Sequence, residues 1–313
     1  MRRSENLPNA TQQRGDDQPP SERRPPNDAE ADRGSSRRRF LRLSGGSLAA
    51  VGLGTTAALG AQDTEGGPPN PDAWSPAFED TFDAESLDES AWSVGWGWGD
   101  ESTASDATIV PENVSVDGTG LRLRGTHDGD SVLTGGVNTR GNVEFGPGSY
   151  VEAKLRFPSR VGFHPAFWGQ PATNDWPPEL DVVELAQDGS GRDDTHTSRH
   201  FMHYSVSTTP GDDSTSQRVS KLHQPGDDLT QNFHIYAAEW QNDRITYYVD
   251  GQEIKTWTDS TILESFRKGA PFYLKLNLSI NVDGDLSESL GRADRSEQWG
   301  ETFDAEWVRV WQQ

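Results

Sequence analysis

Trp176-Pro177-Pro178-Glu179-Leu180-Asp181-Val182-Val183-Glu184-Leu185 is the stretch that decides the fold. Leu180, Val182, Val183 and Leu185 favour a strand, and the prolines mark where it begins. Residues two apart on a strand share a face, so Glu179 and Asp181 point the same way. Glu184 lies five residues from Glu179 and would point to the opposite, buried side. An unpaired Glu in a core costs several kcal/mol or sits protonated. One β-bulge at Val182-Val183 adds the missing residue and returns Glu184 to the face of the other two. The expected result is a row of three acids over an apolar underside.

Such a row suits the hydrolysis of a glycosidic bond. One carboxyl protonates the leaving oxygen while a second, ionised one attacks the anomeric carbon or activates water. Three crowded acids cannot all ionise freely, so like-charge repulsion raises at least one pKa. A solvated strand face in an acidic protein would explain neither the bulge-requiring spacing nor Trp176 beside it.

The 313 residues leave room for one sizeable β domain plus appendages. Lysine plus arginine is 28 against 50 acidic residues, a net of −22. Residues 1–61 hold ten Arg and seven acids, so the remainder carries 18 basic against 43 acidic side chains, a net of −25. That charge argues against nucleic acid or an anionic membrane surface as partner. Only five lysines occur, and Asp pairs such as Asp193-Asp194, Asp212-Asp213 and Asp227-Asp228 recur, a surface suited to high salt. With no cysteine, nothing depends on disulfides or thiol ligands.

Residues 1–35 are rich in Pro, Arg, Asp and Glu and should form a disordered polar tail. Ser36-Arg37-Arg38-Arg39-Phe40-Leu41-Arg42, followed by a mild apolar run to Ala61, resembles a twin-arginine export signal. The run is diluted by Gly, Ala and Thr, which favours cleavage or weak anchoring over a spanning helix. An extracellular location without lasting membrane insertion is the expectation. Residues 62–73 read as a linker.

From Trp74 onward, short strands alternate with Gly, Asp, Asn and Pro turns, the punctuation of an all-β domain. Leu121–Arg124 and Tyr150–Arg156 alternate with period two, and Ile245–Val249 enters a hairpin through Asp250-Gly251. Pro271–Ile280 and Phe303–Trp311 are the last two strands, and Ser260–Lys268 is the best helix candidate. Two packed antiparallel sheets are the natural solution.

Glu179-x-Asp181-x-x-Glu184 resembles the signature E-[ILV]-D-x-x-E of glycoside hydrolase family 16, which holds laminarinases, mixed-linkage β-glucanases, agarases and κ-carrageenases. Weaker matches flank it in order: Phe78–Asp83, Phe163–Trp168, Phe233 to Trp240 with Tyr248–Gly251, Phe272–Leu278, and Glu306–Val310. The resemblance covers residues 74–313 and implies a jelly roll, a concanavalin A-like sandwich with a concave, substrate-binding sheet. It implies Glu179 as nucleophile, Glu184 as acid/base and Asp181 as their assistant, roles that spacing alone could not separate. The implied activity is a retaining endo-β-glycanase without a required cofactor, working as a monomer on a polysaccharide. β-1,3- or mixed β-1,3/1,4-glucan leads. A galactan such as agar or carrageenan is the alternative, since His164 stands where many laminarinases carry Trp and Pro178 replaces a frequent Gly. A transglycosylase and a non-catalytic carbohydrate-binding sandwich are further alternatives.

Tryptophan is abundant, and its ring stacks on sugar faces. Trp168 and Trp176 flank the acidic strand and are expected at substrate, as is Trp98 from the loop Trp96–Glu101. Trp240, Trp307 and Trp311 read as packing. His203 matches a family histidine beside the acids, whereas His200 should be ordinary surface or packing. Their opposite strand faces disfavour ligation of one metal by the two. A structural calcium occurs in some family members near a carboxylate on the last strand. Here that position is Glu306, and no metal is assigned.

Overall fold

Period-two alternation gives each strand one face to bury, and this chain buries those faces between two antiparallel sheets. The computed structural model describes residues 66–99, 106–128, 131–186, 195–283 and 291–313. The polar tail, the signal-like segment and the start of the linker lie outside the described residues.

In spatial order the first sheet runs Gln252–Trp257, Ile245–Val249, His234–Trp240, Ser149–Arg156, Thr302–Gln312, Leu121–Arg124 and Val114–Val116. Ser75–Asp80 also pairs with Thr302–Gln312. The second sheet runs Ser216–His223, Ser198–Ser205, Glu179–Glu184, Phe163–Pro171, Phe272–Ile280, Gly136–Asn138 and Ser93–Val94. Leu180, Val183, Leu274, Leu276 and Leu278 of the second sheet meet Val151, Leu155, Val308 and Val310 of the first in one buried cluster. Each such aliphatic side chain contributes at most about 1.5–3 kcal/mol relative to exposure.

Local chemistry sets the connections. Asp250 (φ 49°) and Gly251 (φ 74°) both lie in the left-handed region, the type I′ geometry that suits an Asp-Gly hairpin. The helix Ser260–Gly269 is capped by Asp259, whose carboxylate accepts from the backbone N–H of Thr261 and Ile262, worth about 1 kcal/mol. Its Phe266 ring packs against Trp240 and Phe272. Trp240 and Trp307 are buried, and Trp311 packs beside Trp74 and Tyr150 with its Nε1 donating to Glu152. Glu306 is ion-paired with Lys154 at 3.0 Å, so a cation already answers the carboxylate considered for calcium.

Candidate active site

The outer face of the second sheet carries the acids, and the bulge expected at Val182-Val183 puts them there. On one side Trp168 opposes Asp181 and Ala166 opposes Glu184. On the other, Phe201 opposes Asp181 and Arg199 opposes Glu184. Both neighbours advance two residues while the central strand advances three, so Val182 is the extra residue. Glu179 and Glu184 are half-open, whereas Leu180, Val182 and Val183 are fully buried beneath them.

Hydrogen-bonded ladders align side chains in rows across this face. One row reads Asn138, Lys275, Trp168, Asp181, Phe201 and Ser220. The next reads Gly136, Asn277, Ala166, Glu184, Arg199 and Leu222. Glu179 opposes His203, which opposes Arg218. The three acids therefore occupy three successive rows.

Two histidines approach them. His203 Nε2 lies 3.6 Å from Glu179 Oε1 and 3.7 Å from Asp181 Oδ2. His164, on the neighbouring strand, places Nε2 3.6 Å from Glu184 Oε1. Burial holds His203 below its ordinary pKa against the charge of Glu184, so its ring is neutral near pH 7.

The carboxylates do not titrate independently. Burial, and after it the charge of Glu184, pushes Glu179 up to about 8, while Lys275 pulls it down. Asp181 is 2 % exposed and sits well above the ordinary carboxylate range because of burial and both glutamates. Burial also acts to raise Glu184, but His164, His203 and Arg199 outweigh it and hold this carboxyl low. The side chains of Glu179 and Glu184 keep 18 % and 19 % exposure, so water tempers both effects. Burial therefore favours protonation of the Glu179–Asp181 pair in the free site, whereas the groups around Glu184 favour its ionised form.

Aromatic rings extend the face on both sides. Trp176, 39 % exposed, leans on the His203 ring at 5.6 Å between centres. Trp168 donates from Nε1 to Asn277 Oδ1 at 2.6 Å, which fixes its ring in the floor. Trp98 stacks on buried Trp96 at 5.2 Å and 3° between planes, and Arg140 holds that loop by donating to the Gly97 carbonyl. The expected residues Glu179, Asp181, Glu184, Trp98, Trp168, Trp176 and His203 thus share one face.

Sequence reasoning missed the cations of this face. Lys275, 1 % exposed, sits among Trp98, Trp168 and Tyr273. Arg218 stacks over Phe201 at 4.8 Å, and Arg199 flanks Glu184. His164 was noticed only as a departure from a pattern. Alternation places all four on the outer face, but nothing local ties them to the acids.

A family model described as the GH16 domain of β-porphyranases A–D matches residues 74–313. Among individual proteins, glucan endo-1,3-β-glucosidase A1 of Niallia circulans is 25 % identical over 273 residues, covering 75 % of this chain. The chain spans 37 % of that relative's length. A β-glucanase of Rhodothermus marinus is 25 % identical over 227 residues, 66 % of this chain and 76 % of its own. The crystal structure of an endo-1,3-β-glucanase from Streptomyces sioyaensis superposes with a TM-score of 0.63 at 24 % identity, covering 79 % of this chain and 99 % of that one. The two-sheet sandwich is therefore the fold of these enzymes.

Proposed function

Starting from the fact that this chain belongs to glycoside hydrolase family 16, we propose that it is a secreted, retaining endo-β-glycanase. The observation that carries the reading is the bulge, which sets Glu179, Asp181 and Glu184 in successive rows of one aromatic-lined face. Glu179 attacks the anomeric carbon, and Glu184 protonates the departing oxygen, then deprotonates the water that releases the glycosyl-enzyme. Asp181, in the row between the two glutamates, assists the nucleophile. His164, beside Glu184, helps to hold that carboxyl low in the free protein. A sugar ring that expels water removes solvation from the charge and favours the protonated carboxyl, which is the form that acts as acid. His203, neutral and beside Glu179, offers a hydrogen bond to a substrate hydroxyl. Trp98, Trp168 and Trp176 supply the stacking surfaces.

A β-1,3- or mixed β-1,3/1,4-glucan is the leading substrate, in keeping with what the glucanase relatives act on by name. A galactan is the second reading, favoured by the porphyranase description of the family model and by Lys275, Arg199 and Arg218 beside the acids. The Arg37-Arg38 segment supports export by the twin-arginine route, and the net charge of −25 beyond residue 61 supports a high-salt setting.

The test is the anomer first released from laminarin, lichenan, agarose or porphyran, followed by NMR at high salt. Retention, with carboxyls about 5–5.5 Å apart, is expected. Release of the inverted anomer refutes the double displacement, and no release from any of the four refutes the activity.

A further inference from the structure

Beneath the bulge lies a buried polar relay that the chemistry above does not use. His200 is 0 % exposed, and its Nδ1 lies 2.5 Å from the carbonyl oxygen of Val182. Its Nε2 lies 2.9 Å from Ser198 Oγ. A carbonyl oxygen can only accept, so Nδ1 carries the hydrogen, and in a neutral ring Nε2 accepts from the Ser198 hydroxyl. Burial favours that neutral ring and pushes His200 down to about 3, against the pull of the Val182 carbonyl. Lys221, opposite it on the next strand, and His223 act in the same direction as burial, and Glu184 acts against them. The rings of Tyr247 and Tyr236, at 5.4 and 6.4 Å, wall the imidazole in.

Val182 is the residue that the bulge inserts, and it has no register partner on either neighbouring strand. A carbonyl turned out of a ladder and into a core needs a donor from elsewhere. His200 supplies it from the strand beside. A regular strand at this point would need no such donor, and it would send Glu184 into the core.

We propose that His200 is a positioning residue for Glu184: by taking the Val182 carbonyl it fixes the bulge and so holds the acid/base carboxyl on the substrate face. The role rests on reading Glu184 as the acid/base. It acts on one carboxyl and not the other, because Glu179 precedes the bulge and stays in the regular ladder with His203.

The experiment compares His200→Leu, which removes the donor, with His200→Asn, whose amide can donate from near the Nδ1 position. In His200→Leu, kcat on the polysaccharide is expected to fall at least ~10-fold with KM within ~2-fold, since a transition-state contact is misplaced and binding is not. The burst of dinitrophenol from an activated aryl glycoside should change less than ~3-fold, because that leaving group needs no proton. His200→Asn should recover most of the loss. Equal loss in both reactions, or none in either, overturns the proposal. Nitrogen-15 NMR of the unmodified protein reads the same claim without turnover: Nδ1 should be protonated and Nε2 bare across neutral pH. An Nε2–H tautomer overturns it whatever the kinetics show. Should the unmodified protein hydrolyse no glycan, the functional reading fails, and the tautomer alone decides whether His200 holds the bulge.

Discussion

Lys275 faces Trp168 across the ladder, with its ammonium nitrogen 4.1 Å from the ring centre and 3.8 Å from that of Trp98. A desolvated contact of this kind is worth about 2 kcal/mol. It anchors a fixed positive charge in the floor of the site, and that charge favours ionised Glu179.

Lys275→Met keeps the stem and removes the charge. Glu179 then loses the influence that lowers it, so the acid limb of the kcat/KM profile should move to higher pH by ~0.5–1 unit. The pH–rate profile on a soluble glycan checks this. An unmoved acid limb would show that Lys275 only packs.

His164 is the foremost cause of the low pKa of Glu184, opposing burial. In His164→Gln that opposition is lost and burial raises the carboxyl. A carbon-13 titration of Glu184 in the free protein should therefore shift upward, with the fold unchanged. The shift would vanish if Arg199 and His203 alone held the charge.

Asp181 makes stability depend on pH. Its folded pKa lies above the unfolded value, so the folded state binds the proton more tightly. Its stabilising contribution is complete below the unfolded pKa of about 3.9 and is lost as pH rises through the folded value. Asp181→Asn, which cannot ionise, should melt higher than the parent at pH 8 and alike at pH 4, with about 2–4 °C for each kcal/mol. The same variant should lose at least ~10-fold in rate. Paired melts at the two pH values decide it.

The net charge of −25 beyond residue 61 implies self-repulsion that counter-ions relieve. The melting temperature should climb from low salt to molar KCl. A flat response would count the acidic surface as unrelated to salt.

The acids and the bulge were legible in the sequence because parity is a local property. Three carboxylates at 179, 181 and 184 can share a face in only one way, and the apolar residues between them say which side is inside. The Asp250-Gly251 hairpin and the Asp259-capped helix were legible for the same reason, since both are decided within a few residues. Lys275 was not. In Phe272-Tyr273-Leu274-Lys275-Leu276 it reads as an ordinary outward lysine, yet Trp98, 177 positions earlier, and Trp168 of the neighbouring strand cover it. His200 was misleading in another way. Alternation on Arg199-His200-Phe201-Met202 sends the imidazole inward and the phenyl ring outward, against what polarity suggests. The reversal makes sense only once the Val182 carbonyl and the Arg218 guanidinium are seen to wait for them.

One inserted residue also decides what kinds of inherited change this strand can survive. Substitutions along Glu179–Glu184 alter one side chain each and can be absorbed or repaired singly. Loss of Val182 would restore a regular ladder and leave the three acids two residues apart, still on one face. The row of acids therefore tolerates two lengths of strand, one with the extra residue and one without, and His200 has a carbonyl to hold only in the longer.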